Sequence, residues 1–471
     1  MAALHDLSAL EAAAAVRARE VSPTELVEHG LDRIGRLDDR LGAFVTVTAE
    51  RARAEAAAAE DLVLAGGELP PLLGVPTAIK DLNMVAGVPS RLGSAAFEDF
   101  TPDYDDTIVR LLRAAGTISL GKTATPEIGL PCYTETDIGP PARTPWDTTR
   151  LAGGSSGGAG AAVAGGLVPI AQGSDGGGSI RIPASACGLV GLKPTRGRVP
   201  RGPLDLDAVR LSVLGPLART VRDAAAFLDA VAVPQPGDPE LLPAPAGTFL
   251  DACERDPGRL RIGALIDSPM EMTVEPAVRA AWEQACALLA GLGHDLEDTA
   301  PPIPPDAVPL FETVWSVSAA SAPIPADREH LLRPLTTYLR GRGAAASGPQ
   351  FAQALGMLGQ HARRGLAASA HLDVVVAPTL AMTPRPVGWF TEGGDPAEDF
   401  ERQKRYTPFT AMYNTTGQPA ISLPLYQSPD GLPIGIMLVG ALGAEQLLLA
   451  LAAQLEDALP WRARRPSIWS D

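Results

Sequence analysis

The 471-residue chain is predicted to fold as one large α/β domain, a mixed β-sheet covered by helices on both faces. Three observations lead there. Short apolar runs alternate with helical stretches along the chain. Several of these runs, such as DVVVA at 373–377, are apolar at nearly every position, the pattern of a strand buried on both faces. No clear linker divides the chain, so a single domain over 1–471 is expected. The composition, 46% hydrophobic and 20% charged, can bury a large core and excludes a disordered chain.

Residues 1–66 read as an N-terminal helical layer, with helices over 7–19, 23–38 and 49–65. Ser22 is placed to cap the second, with Pro23 at its first position and Glu25 at its third. Gly66 and Gly67 end the third. Residues 67–200 follow as the core. A strand over 73–79 ends on Lys80 and Asp81, and a helix over 105–115 leads to a strand over 117–121. A loop with Pro and Gly covers 130–143, then a small-residue helix over 157–167 and a buried strand over 168–172. Further on, helices are expected over 221–231, 275–292 and 445–459, and strands over 260–266 and 373–377. Strands over 420–424 and 434–439 pair through a Pro-Asp-Gly turn at 429–431. The stretch 300–405, rich in Pro, Ala and polar residues at 300–350 and 379–405, reads as variable, substrate-facing insertions or surface helices.

A net charge of −16 makes the chain a poor general binder of nucleic acid or anionic membrane. Cys132, Cys187, Cys253 and Cys286 form no CxxC pair, which fits reduced thiols and a cytoplasmic location. The six histidines have no metal-ligand spacing, and no metal or cofactor is expected. The amphipathic start lacks the basic region of a signal peptide, and no run is apolar enough to span a bilayer.

The chemistry concentrates at 150–198, where glycine–serine clusters at 153–158 and 173–179 flank an apolar run. Glycine at this density allows close backbone approach. A serine there can present an exposed hydroxyl beside converging N–H groups, as a nucleophile and oxyanion hole require. The candidates are Ser155, Ser156, Ser174 and Ser179. A histidine base is poorly supplied, because residues 30–293 contain none. Lysine is the remaining base. The chain has only four, Lys80, Lys122, Lys193 and Lys404, against many Arg. Burial at a strand end would lower the pKa of Lys80 from its usual value of about 10.4.

GVPTAIKD (74–81), GGSSGG (153–158) and GSDGGGSIRIPASACGLVGLKPTRG (173–197) together resemble the amidase signature family. The likeness extends to LGPLARTVRDAA (214–225), TGQPAISLPL (416–425) and LPIGIMLVG (432–440). The resemblance implies the fold of that family and a stand-alone amidase. It makes Ser179 the nucleophile, Ser155 a relay behind a cis bond to Gly154, and Lys80 the neutral base. It implies an oxyanion hole from the N–H groups of Gly176, Gly177, Gly178 and Ser179, and supporting hydrogen bonds from Ser156, Ser174, Asp175 and Arg181. Gly129, Leu130, Cys132 and Tyr133 would form the acyl-side wall, with Trp389 and Phe390 as candidate caps. Lys122 and Lys193 read as structural. The substrate would be a small amide, an oligoamide or a carbamate (urethane), handled by a monomer or homodimer. Two alternatives stand beside this. One is the amidase subunit of a tRNA-dependent amidotransferase, from whose form 130–150 departs. The other is a nucleotide-binding module, for which both clusters lack the P-loop pattern.

Overall fold

The structure is a computed structural model and describes residues 3–205, 207–238, 240 and 242–471. Eleven strands occur among the described residues. β1 (Phe44–Val47), β2 (Pro76–Lys80) and β3 (Ile118–Thr123) form a small sheet in the order β1-β3-β2. The others are β4 (Ile170–Asp175), β5 (Val190–Lys193), β6 (Val213–Ala218), β7 (Arg261–Ala264), β8 (Asp295–Asp298), β9 (Val374–Pro378), β10 (Ala420–Gln427) and β11 (Pro433–Gly440). They form a mixed sheet in the order β4-β6-β5-β10-β11-β9-β7-β8, parallel at β9-β7-β8 and antiparallel elsewhere.

The predicted fold class is therefore the observed one, with one refinement: the strands divide into two sheets. β2 and β4 lie edge to edge but are joined through side chains. Thr77 Oγ1 donates to Ile170 O (3.0 Å), and Lys80 N donates to Gln172 Oε1 (2.9 Å). This seam places the end of β2, carrying Lys80, beside the end of β4, carrying Ser174 and Asp175. Helices Gly157–Ala164 and Arg181–Cys187 pack on each other and on the sheets near the seam. Helices Val221–Val231 and Glu445–Ala458 pack together over the large sheet.

The local signals read from sequence are in place at the N-terminus. Ser22 accepts from Glu25 N (3.1 Å), and Glu25 returns the bond to Ser22 N (2.8 Å), ahead of helix Pro23–Leu41. Helix Ala49–Ala65 stops at Gly66, with φ +74°. The hairpin turn before β11 holds Gly431 at φ +84°. Two predicted strands are shifted. The 73–79 strand begins at Pro76 because 71–74 form a turn, and the 168–172 strand runs on through Asp175. β1, β5, β6 and β8 were not anticipated. Each is four to six residues long, and β5 and β6 contain Gly or Pro inside the strand.

Candidate active site

Lys80 is fully buried at the end of β2. Its Nζ lies 2.7 Å from Ser155 Oγ and 2.9 Å from Ser174 Oγ. No carboxylate pairs with it among the described residues. Burial pulls its pKa down to about 7, against a smaller upward pull from Asp175. A neutral amine has two N–H groups and one lone pair, so Lys80 can accept from the Ser155 hydroxyl while donating to Ser174.

The two glycine–serine clusters are stitched to each other. Ser156 N donates to Ser179 O (3.2 Å), and Ser156 Oγ lies 3.2 Å from both the N and the O of Ser174. The Gly154–Ser155 bond is cis. Gly154 is required by space: a Cβ there would lie 2.7 Å from Tyr133 N.

Asp175 ties down the second cluster. Burial alone would raise its pKa, but the Arg181 guanidinium beside it holds the carboxyl well below the usual range. Arg181 donates Nε to Oδ2 and Nη2 to Oδ1, both at 2.9 Å. Gly178 N (2.7 Å) and Asn414 Nδ2 (2.9 Å) also donate to Oδ1. Thr410 Oγ1 donates to Gly177 O (2.6 Å).

This changes one expectation about the oxyanion hole. The Gly178 amide is engaged by Asp175, so only the N–H groups of Gly176, Gly177 and Ser179 lack a partner among the described residues. Lys122 pairs with Asp81 (3.0 Å) and donates to Ser90 Oγ (2.9 Å), while among the described residues Lys193 Nζ reaches only Pro194 O (3.0 Å).

Ser179 and Gly177 open into a concave cleft lined mostly by apolar side chains, the character of a small-molecule site. Leu130 and Cys132 line it. Gly129 and Tyr133 do not. Gly129 sits against Leu82 and Ser155, and a Cβ there would lie 2.5 Å from Leu82 Cδ1. Tyr133 turns away, donating its hydroxyl to Asp399 Oδ2 (2.6 Å) and stacking on Phe390 at 4.5 Å. Trp389 and Phe390 are not caps either: Phe390 is buried behind the wall, and Trp389 packs on it edge-on.

The 300–405 stretch reaches the cleft through two helices. Ala307–Ser321 supplies Val308, Phe311, Glu312 and Trp315; Pro396–Tyr406 supplies Phe400, Gln403 and Lys404. Both sets have the i, i+3, i+4 spacing of one helix face, a signal legible in the sequence but missed there. Gln172 and Asn414 were also missed. Gln172 is a buried polar residue next to the apolar start of β4, whereas Asn414 carries no local signal.

Among the described residues no cluster of three His, Cys, Asp or Glu could hold a metal, and no helix is long and apolar enough to cross a membrane.

Comparison with known proteins shows the family of the chain. Residues 25–449 match the family model described as Amidase. The chain is 38% identical over 477 residues to a 6-aminohexanoate-cyclic-dimer hydrolase of Paenarthrobacter ureafaciens, covering 96% of this chain and 95% of that protein. A solved structure of 6-aminohexanoate cyclic dimer hydrolase with substrate superposes with a TM-score of 0.91 at 35% identity, covering 99% of both chains. A bacterial aryl acylamidase superposes with a TM-score of 0.89 at 28% identity, over 98% of this chain and 99% of the other. One subunit of a glutamyl-tRNA(Gln) amidotransferase from Synechococcus is 35% identical, over 95% of this chain and 96% of that protein. The chain belongs to the amidase family, hydrolases of amide C–N bonds.

Proposed function

We propose that the protein hydrolyses small amides through an acyl-enzyme on Ser179. Ser179 Oγ attacks the carbonyl carbon, and its proton passes to Ser155 as Ser155 gives its own to Lys80. The amides of Gly176, Gly177 and Ser179 take the developing oxyanion; one such donor is worth roughly 3–4 kcal/mol in acyl transfer. As the C–N bond breaks, the proton returns from Lys80 through Ser155 to the leaving nitrogen. Water then repeats the sequence on the ester. The observation that carries this reading is the buried, carboxylate-free Lys80 at 2.7 Å from Ser155 Oγ. Asp175 and Arg181 act as positioning residues that hold the Ser179 turn in shape.

The apolar cleft suits aryl and aliphatic amides and oligoamides. A carbamate also presents a carbonyl bonded to nitrogen, so urethanes belong to the same substrate range. The likeness to one component of a tRNA-dependent amidotransferase favours a second reading, which glutaminase activity and co-purification of a tRNA-binding partner would support.

The test uses an acyl p-nitroanilide and a nitrophenyl carbamate. Ser179→Ala and Lys80→Ala are each expected to lose more than 1,000-fold in kcat, about 4 kcal/mol. Intact-mass spectrometry of the wild type during turnover should show the acyl group on Ser179. Either variant retaining full activity would sink the assignment.

A further inference from the structure

Most of the side chains lining the cleft that holds Ser179 are apolar. Of the residues lining it, only Glu312 and Lys404 carry charge. They come from different helices and meet at 2.5 Å across the cleft wall. Glu312 is saturated with cations, because its other oxygen takes Arg342 at 2.9 Å. Lys404 has a second carboxylate, Glu401, at 2.6 Å, and its ammonium lies 5.4 Å from the Phe400 ring centroid. Two cations and two carboxylates balance, so the cluster as a whole has little reason to prefer an anion. An ammonium has three donors and no acceptor, and two donors are used. Gln403 beside it is held at both ends, its carbonyl accepting Cys132 N (3.0 Å) and one amide N–H donating to Asp399 (2.8 Å), which leaves it a second N–H. What this wall has left to offer a ligand is therefore a hydrogen-bond donor.

Its position along the cleft is set by helix Ala307–Ser321. Trp315 faces the Ser179 turn, with its ring 3.6 Å from where a Cβ on Gly176 would sit. Glu312 is three residues before it, about 4.5 Å of helical rise away. The charged pair thus shares one cleft with Ser179, and the rings of Phe311, Trp315 and Phe400 line that cleft beside it.

We propose that Lys404 forms a distal subsite that binds a second, non-reacting carbonyl of an amide or carbamate substrate. This rests on the amidase reading and narrows it to substrates that repeat the carbonyl, such as oligoamides and bis-carbamates, in preference to simple alkyl amides. The spare Lys404 N–H donates to the distal oxygen, while Phe311, Trp315 and Phe400 cover the methylenes between.

The experiment compares p-nitroanilides of one chain length whose acyl tail is plain alkyl, or carries a secondary amide, a carboxylate or an ammonium. A matching series places the same tails on the amine side of a hexanamide. In the wild type the amide tail should be preferred over alkyl by kcat/KM on one side of the scissile bond, with the ammonium tail worst. Lys404→Met should collapse that preference about tenfold, chiefly through KM, and Lys404→Arg, which keeps donors, should restore most of it. If all tails fall together in Lys404→Met, or the preference survives in both series, the subsite is overturned. A wild type inactive on every compound overturns the amidase reading, and the subsite with it.

Discussion

Lys80 and Lys193 show how neighbours, and not burial alone, decide what a residue can do. Both are fully buried and both are drawn down to about pH 7, mainly by desolvation. Lys80 has two serine hydroxyls within hydrogen-bond reach, whereas Lys193 has one backbone carbonyl. On the proposed mechanism Lys80 acts only when neutral, so kcat/KM should rise with unit slope up to about pH 7 and level off above it. A hundredfold loss is expected near pH 5, read from initial rates. Lys193 yields a stability prediction instead. The unfolded lysine holds its proton up to about pH 10.4. The folded one releases it above about pH 7. The penalty of burying it is thus complete below pH 7, shrinks as pH rises, and vanishes once both states are neutral. Lys193→Met should therefore raise the melting temperature most near pH 6.5 and least near pH 10. A difference that does not change with pH would refute the linkage.

At the scale of elements, the close approach of loop 130–133 to the first glycine cluster shapes the cleft. Gly154 admits no side chain because Tyr133 N and C lie 2.7 Å from the Cβ position, and backbone atoms cannot step aside. Gly154→Ala is expected to abolish activity and lower the melting temperature. Gly356 is the control. It sits exposed within helix Gly348–Ala368 with nothing within 4 Å of a Cβ, so Gly356→Ala should stabilise by about 0.5–1 kcal/mol, read from the urea midpoint. The same contrast explains what was legible in the sequence. Lys80, Ser155 and Ser179 stand in short, glycine-marked runs, and the helix caps at Ser22 and Gly66 follow local rules. The cleft's far wall comes from helices more than 120 residues away, and only its helical spacing is local information. Tyr133 misled because adjacency to Cys132 says nothing about direction. Successive side chains diverge, and Asp399, which draws the Tyr133 hydroxyl outward, is 266 residues distant. The seam between the two sheets was equally unreadable, since it depends on Gln172 standing in for a backbone partner.

On the scale of the whole molecule, both ends of the chain converge behind the catalytic core on Trp469. Its indole N–H donates to Asp6 Oδ1 (3.0 Å), His5 meets it edge-on at 5.2 Å, and Arg465 and Arg219 lie 4.2 and 4.8 Å from its ring. The ring also lies 3.1 Å from where a Cβ on Gly166 would be. Buried Arg33 completes the knot, donating to Gly165 O (2.9 Å), Gly166 O (3.0 Å) and Trp469 O (3.3 Å). Gly165 and Gly166 form the turn between helix Gly157–Ala164 and β4, so the knot braces the segment that carries Ser155 at one end and Ser174 at the other. Truncating a buried Trp costs about 3–5 kcal/mol. Trp469→Ala should therefore lower the melting temperature, and the loss should be local first. Amide exchange should accelerate across 157–175 and 3–17, with β9 and β11 keeping their protection. Uniform acceleration over the molecule would mean that Trp469 contributes only to the common core. Unchanged exchange at 157–175 would mean that the catalytic segment is held from the cleft side alone.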